Sequence, residues 1–323
     1  MEEQNRTKRF QQMGKSIYDR FGILIVLMAM VILLSIFLDS FLTASNILNI
    51  LKQIACLGIL ACGVCKVIIV GGLDLSVGSI VSLSSVLAAS CAHPDSYPVI
   101  VPVLVGVGTG FLCGAANGIF VAKLKIPPFI VTMSSMTIFA GIALVFTKAR
   151  PINGFSRSFN YIGGGKIQDV PVPIYILVLV TAISWFVMKK CRIGYHICAV
   201  GGNENAARLA GVHTDRVKIF AYAYSGMMAG LAGVVLTSRV QSGLSNLGTG
   251  MEMDAIAAVV IGGTSLAGGT GSVLLTIIGA CVIGVINNGM DLMMVDMYWQ
   301  DIVSGIIILL AVLIDNLRNR GRE

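Results

Sequence analysis

The residues that could do chemistry are few, and most of their patterns are incomplete. Cys62 and Cys65 have the Cys-x-x-Cys spacing of a redox pair or half a metal site. No second pair and no nearby histidine accompanies them, so inside an apolar run they are expected to act as small packing groups, with no metal bound. His93, His196 and His213 are far apart in sequence and form no His-Glu-x-x-His motif. Gly14-Lys15-Ser16 ends like a phosphate-binding loop, but Arg9 occupies the position of its first glycine. The glycine-rich stretch 262–271 contains no complete Gly-x-Gly-x-x-Gly. No nucleotide site, enzymatic activity or bound cofactor is therefore expected of this chain. Asp74 follows Gly71-Gly72-Leu73 and precedes an apolar run beginning at Leu75, while Glu252 and Asp254 precede a run over 255–261. Carboxylates at those places are expected to cap helix N-termini.

The polar stretch 189–218 is different in kind. It holds Lys189, Lys190, Arg192, Arg208, Arg216 and Lys218 in a half of the chain that is otherwise mostly apolar. Gly201-Gly202 reads as a flexible break, Asn203 as an N-cap, 204–210 as a short helix and Gly211 as its stop. Glu204 and Arg208 have the favourable i,i+4 spacing. A helix of two turns is not stable alone in water, so it must rest on something. Ala206, Ala207, Leu209 and Ala210 give it a low apolar surface suited to a groove on another protein.

The elements that position these residues are set by composition. The chain has 323 residues, 56% hydrophobic and 12% charged, against roughly 25% charged in soluble domains. This is an all-α polytopic membrane protein. The net charge of +7 does not point to nucleic acid, because the basic residues stand at the ends of apolar segments. Taking about 20 residues as the length of a span, crossings are expected at 22–38, 50–70, 75–92, 98–122, 129–146, 173–188, 219–238, 254–267, 272–290 and 300–314. The eighth is short and glycine-broken, as an interrupted or re-entrant helix would be. The first reads as a retained span rather than a cleaved leader. The expected division is a cytosolic segment 1–21, a membrane domain 22–315 and a cytosolic tail 316–323.

Orientation follows from the basic residues. Ten spans with a cytosolic N-terminus put Arg6, Lys8, Arg9, Lys15, Arg20, Lys123, Lys125, the six of 189–218, Arg318, Arg320 and Arg322 inside. Lys148, Arg150, Arg157, Lys166 and Arg239 fall outside. The outer connection 148–172, rich in glycine and proline, is expected to be irregular, a docking surface or lid.

Within the spans, Gly106, Gly110, Gly114 and Gly118 recur at intervals of four, which lets another backbone approach one helix face. Asn117, Asn287, Asn288, Ser82 and Ser85 are the candidates to line a polar path, since such groups must face the protein interior or water. Taken one at a time, helix–helix hydrogen bonding is the favoured account of each. Lys66 lies just over a turn before Gly71, where it is expected to snorkel to the interface or pair with Asp74. No chain of acidic residues and histidines runs through the spans, as a proton-driven pump would require.

Five segments, in order and suitably spaced, resemble the ribose/xylose/arabinose/galactose permeases of ABC importers: GGLDLSVGSI (71–80), ANGIFVAKLKIPPFIVTMSSM (116–136), AVGGNENAARLAGV (199–212), MEMDAIAAVVIGGTSLAGGTGS (251–272) and INNGMDL followed by YWQ (286–300). The resemblance extends from about residue 46 to 316. It implies a homodimer of ten-span subunits in the bacterial inner membrane, a cytosolic ATP-hydrolysing partner and an extracytoplasmic sugar-binding protein. It also implies that the segment Asn203, Glu204, Ala206, Ala207, Arg208, Leu209, Gly211 is the coupling helix seated on the ATPase. Gly71, Gly72, Asp74, Glu252 and Asp254 fall in its motifs. Lys66 departs from the pattern, where an apolar residue is typical. Met251 and Met253 also depart, where Tyr and Leu are more usual; both bear on substrate choice. A permease for nucleosides or branched-chain amino acids, or a stand-alone secondary transporter, is the alternative.

Overall fold

The computed structural model describes residues 22–94 and 97–320. The basic N-terminal segment 1–21, with its Gly14-Lys15-Ser16, and Arg322 lie outside the described residues. An apolar helix α1 (Gly22–Phe37) leads into α2 (Ala44–Ile69). At 26 residues α2 is about 39 Å long, enough to cross a bilayer's hydrocarbon. It ends in a glycine-stopped turn: Gly71 takes a left-handed φ of 83°. The Gly72 N–H donates to Val67 O and the Gly71 N–H to Ile68 O, so the terminal carbonyls are satisfied.

The chain is then irregular until α3 (Val77–Ser90), followed by α4 (Ile100–Ala122) and α5 (Pro128–Thr147). The outer connection is more ordered than its composition predicts. It forms a helix α6 (Arg157–Gly164), N-capped by Ser156, and an antiparallel hairpin of β1 (Lys166–Ile167) and β2 (Val170–Pro171). Among the described residues the otherwise all-α chain thus carries one small ribbon. Ser238 clamps α6, donating to Phe159 O at 2.5 Å and accepting from the Gly163 N–H at 2.7 Å.

The second half runs α7 (Val172–Lys190), α8 (Arg192–Gly202), α9 (Glu204–Leu209), α10 (Thr214–Val240), α11 (Met251–Ile261), α12 (Val273–Leu292) and α13 (Met297–Arg320). The stretch before α9 is helical, and Gly201-Gly202 form the last residues of α8 rather than a flexible break.

Among the described residues, six helices are long and apolar enough to cross a membrane. The expected third and eighth spans are shorter. α3 has 14 residues and α11 has 11, and α11 stops at Ile261 because Gly263 adopts a φ of 79°, its N–H closing on Val260 O and that of Thr264 on Val259 O. Both are half-helices, each joined to a long helix by an irregular link.

That pairing recurs through the fold. α2, α3, α4 and α5 form one unit, and α10, α11, α12 and α13 a second of the same design. α3 packs on α4 and α5, as α11 packs on α12 and α13. α2 and α10 lie against each other at the centre, and each lies along the other unit's third helix, α10 on α4 and α2 on α12. The glycine ladder explains the closest of these contacts. A Cβ at Gly110 would overlap Gly226 O, one at Gly114 would overlap Tyr222 O, and one at Gly118 would come within 2.8 Å of the Ile219 backbone. With no side chains between them, α4 and α10 touch backbone to backbone.

Candidate functional site

Polar groups at the centre of the bundle gather on the link between α2 and α3. Asp74 is fully buried. It accepts from the Ser76 N–H at 3.1 Å, from Ser76 Oγ at 2.6 Å and from Ser225 Oγ on α10 at 3.1 Å. Asp74 thus ties the irregular link, two residues outside the N-cap position, rather than capping a helix that starts at Leu75. The network extends outward. Asn117 of α4 donates to Ser76 Oγ at 2.8 Å and accepts from Ser135 Oγ of α5 at 2.6 Å, while Tyr222 and Thr132 both donate to Leu73 O. Unpaired backbone groups in an apolar bundle are costly, and this lattice of hydroxyls satisfies those the helix break frees.

The link from α10 to α11 approaches the same place. Gly248 N–H donates to Ser82 Oγ at 2.9 Å, and a methyl at Gly78 would overlap both Gly248 O and the Glu252 carboxylate. The N-termini of the half-helices α3 and α11 therefore meet, with Asp74 and Glu252 as their acidic companions. Glu252 is 5% exposed and lies inside the first turn of α11, which begins at Met251, so Glu252 and Asp254 are first-turn residues rather than preceding caps. Negative charge at a helix N-terminus is favoured by the aligned peptide dipoles. Converging half-helices at mid-bundle are the arrangement that transporters use to build a passage.

The expected path residues fall into two groups. Ser82, Ser85, Asn117 and Asn288 are sealed within the subunit. Ser85 accepts from Thr237 at 2.6 Å, and Asn288 pairs reciprocally with Asn46 through two bonds of 2.9 Å. These four hold helices together. Asn287 alone of the five is partly exposed, and it donates to Asp254 Oδ2 at 3.2 Å. Ser304 of α13 donates to Asp254 Oδ1 at 3.4 Å. Composition gave no hint of Ser304, since a single serine in an apolar run carries no signal before α13 is packed beside α11.

Lys66 neither snorkels nor pairs with Asp74. It is fully buried, donates to Cys62 O at 3.1 Å and lies 3.9 Å over the Tyr224 ring, whose hydroxyl meets Ser184 at 2.6 Å. The aromatic face and a carbonyl replace the carboxylate partner. Cys62 and Cys65 are buried on the same helix, facing Thr181 and Thr264. Among the described residues no group of three or more His, Cys, Asp or Glu could hold a metal ion.

A second junction roots α9 in the bundle. Gly269 N–H donates to Ile69 O at 2.8 Å, and a Cβ at Gly201 would overlap that same carbonyl. Gly268 and Gly269, both at left-handed φ, approach Gly201, Gly202 and Gly71 through backbone alone. The end of α8, the end of α2 and the loop after α11 thus meet one residue before the Asn203 cap. Three glycine pairs far apart in sequence signal this junction only once their proximity is known.

From there α9 stands clear. Asn203 Oδ1 accepts from the Ala206 N–H at 2.9 Å, and Gly211, at φ 85°, closes the helix on Arg208 O. Glu204 is gripped by Lys218 at 2.6 Å and Arg208 at 3.0 Å. Partial burial pushes its carboxyl pKa up. The hydrogen bond and charge of Lys218, a hydrogen bond from Thr214 and the charge of Arg208 outweigh this and hold it below the ordinary value. The apolar row is divided: Ala207 is buried against its own chain at 6% exposure, whereas Leu209 is 90% exposed, with Ala206 and Ala210 beside it.

A family model described as branched-chain amino acid transport system / permease component matches residues 46–312. The chain is 42% identical over 320 residues to the ribose import permease protein of Haemophilus influenzae, covering 97% of each. It is 36% identical over 301 residues to the D-allose transport system permease protein of Escherichia coli, covering 93% of this chain and 92% of that one. Identity to the xylose transport system permease protein of Escherichia coli is 34% over 342 residues, 87% of each. No solved structure matches the chain.

Proposed function

Because the chain belongs to the branched-chain amino acid transport system / permease component family, and so is a multi-pass membrane permease rather than an enzyme, we propose that it is the translocating subunit of an ATP-driven monosaccharide importer. The observation that carries the reading is the meeting of half-helices α3 and α11 at the bundle centre, each preceded by an irregular link. The likeness to ribose, D-allose and xylose permeases supports a sugar as cargo. In this reading the chain crosses the bacterial inner membrane ten times, with both termini in the cytosol, α3 and α11 completing crossings together with their links. The domain limits 22–315 and the cytosolic loop 189–218 follow from that topology.

Two copies form the transport unit, with the passage between them. A cytosolic ATP-binding subunit receives α9, chiefly through Leu209, Ala206 and Ala210, while Ala207 anchors the helix to its own subunit. A sugar-binding protein docks on the opposite side, where α6 and the hairpin lie. ATP binding draws the ATPase subunits together and moves α9. The glycine junction at Gly201 and Gly269 passes that movement to the two links, and the passage opens alternately to either side. High affinity resides in the binding protein, so the permease needs a weakly polar track and no covalent step.

The test is reconstitution of the permease with its ATP-binding subunit and binding protein in liposomes, followed by uptake of labelled D-ribose, D-allose and xylose. Accumulation that requires ATP inside the ATPase compartment is expected. Accumulation of leucine instead would favour the amino-acid branch named in the family description, and uptake independent of ATP would identify a secondary transporter.

A further inference from the structure

A groove of about 360 Å³ opens on the flank of the bundle between α7 and α12. Both helices pack on α2, and a Cβ at Gly58, midway along α2, would come within 2.8 Å of Leu177 and 3.4 Å of Ile277. The deep end of the groove thus lies near mid-membrane. Leu177, Thr181 and Trp185 follow at steps of four along α7, with Ala182 beside them, and Leu274 lines the groove from the first turn of α12. Trp185 is eight residues beyond Leu177, about 12 Å along the helix axis. Thr181, the one lining residue with a hydroxyl, turns its Oγ1 toward Cys62 Sγ at 4.0 Å. The walls therefore offer an occupant apolar groups and the Trp185 ring. The same step of four carries the row from Trp185 to Lys189, and Lys190 and Arg192 follow at the corner into α8. All three cations are exposed, and among the described residues none has a carboxylate within ion-pairing distance. The corner is tight: a Cβ at Gly194 would overlap Met188 O, and Tyr195 Oη donates to Lys189 O at 3.1 Å.

We infer that this groove holds an acyl chain of an anionic glycerophospholipid, with the headgroup phosphate on Lys189, Lys190 and Arg192. The site lies outside the proposed transport path and needs only that α7 spans the membrane, which its 19 residues, about 28 Å, allow. Along a spanning helix, a tryptophan followed one turn later by lysine marks the passage from hydrocarbon to headgroups. Apolar walls on the hydrocarbon side of that level take a lipid chain, and cations between spanning helices beside it bind anionic headgroups. Charge selects the occupant. A zwitterionic lipid fits the walls equally well but gains no net attraction from three unpaired cations. The chain's own segment 1–21 carries five basic residues against Glu2, Glu3 and Asp19, so its net charge is repelled from that corner.

Trp185 is the reporter, because Trp299 is the one other tryptophan in the chain. The experiment uses the full-length permease with Trp299→Phe, in phosphatidylcholine nanodiscs containing a minor fraction of lipid with brominated chains, which quench a tryptophan they touch. Brominated phosphatidylglycerol is expected to half-quench Trp185 at a mole fraction about ten-fold or more below that of brominated phosphatidylcholine, since each lysine near the headgroups contributes about five-fold. Lys189→Gln with Lys190→Gln should remove most of that preference and leave quenching by phosphatidylcholine unchanged. Ala182→Phe, which fills the groove, should weaken quenching by phosphatidylglycerol even with both lysines in place. Equal quenching by the two lipids in the parent would overturn the inference and leave only ordinary boundary lipid. A preference that survives the lysine substitutions, or that Ala182→Phe leaves unchanged, would overturn it too. Quenching by neither lipid would make the groove a contact with a second copy or with residues 1–21, and the lipid site would fall. Sugar uptake plays no part in the readout, so failure here leaves the functional reading standing.

Discussion

Leu209 and Ala207 are two residues apart on α9 and face opposite ways, the first open to solvent and the second anchoring the helix to its own subunit. A charge at Ala207 would be forced into the subunit, where an unpaired ion costs several kcal/mol. Ala207→Asp is therefore expected to lower the yield of folded permease before any partner is present. Leu209→Asp places its charge in water in the free subunit, so yield and detergent stability should stay normal. Co-purification of the ATP-binding subunit and ATP-driven uptake should both collapse. Normal uptake by Leu209→Asp would remove α9 from the partner contact.

The Glu204 ion pairs give this helix a pH dependence of definite sign. Because the folded carboxyl titrates below its ordinary value of 4.5, its contribution is fully present above that value and is lost as pH falls through the lower folded one. The pairs are partly solvated, and such links are worth about 0.2–1 kcal/mol. A spin label at Asn205→Cys should be more mobile in a Glu204→Gln background at pH 7, with the difference vanishing once the pH falls below the depressed value of the folded carboxyl. Equal mobility at pH 7 would show that the pairs do not order α9.

At the scale of elements, the α4–α10 seam makes a prediction with an internal control on one helix. Gly110→Ala puts a methyl where Gly226 O already lies, an overpacking cost of about 1–3 kcal/mol or more. The detergent melting temperature should fall. Gly108, two residues away, has nothing within 4 Å of an added Cβ. Gly108→Ala should leave the melting temperature unchanged or raise it slightly, since alanine is the better helix former by about 0.5–1 kcal/mol. If both variants melted like the parent, the ladder would not be a packing seam.

Over the whole molecule, the proposed ten-span topology sets α6 and α9 on opposite sides of the membrane. Ser158 and Asn205 are both exposed at those places. In a background without other cysteines, Ser158→Cys should react with an impermeant thiol reagent in cells whose outer barrier is opened, and Asn205→Cys only after the inner membrane is lysed. The reverse pattern would invert the topology.

Much of this was legible from local chemistry. Apolar length identified a membrane bundle, the spacing of Gly106 to Gly118 identified a close-packed face, and Asn203 with Gly211 bounded α9. These are properties of a few neighbouring residues, so the sequence alone determines them. The motifs around Gly71, Asn203 and Met251 also carried the family. Other features depend on residues brought together from distant parts of the chain. Nothing local distinguishes Asn117, which ties a helix break, from Asn287, which reaches an open face. Lys66 looks like an interfacial cation until Tyr224 is packed over it. Ala207 and Leu209 are equally apolar in sequence, and only the bed beneath α9 separates them. Whether a polar residue holds the bundle shut or lines an opening depends on what stands opposite it, and that was decided by the tertiary packing of α2, α10 and their half-helices.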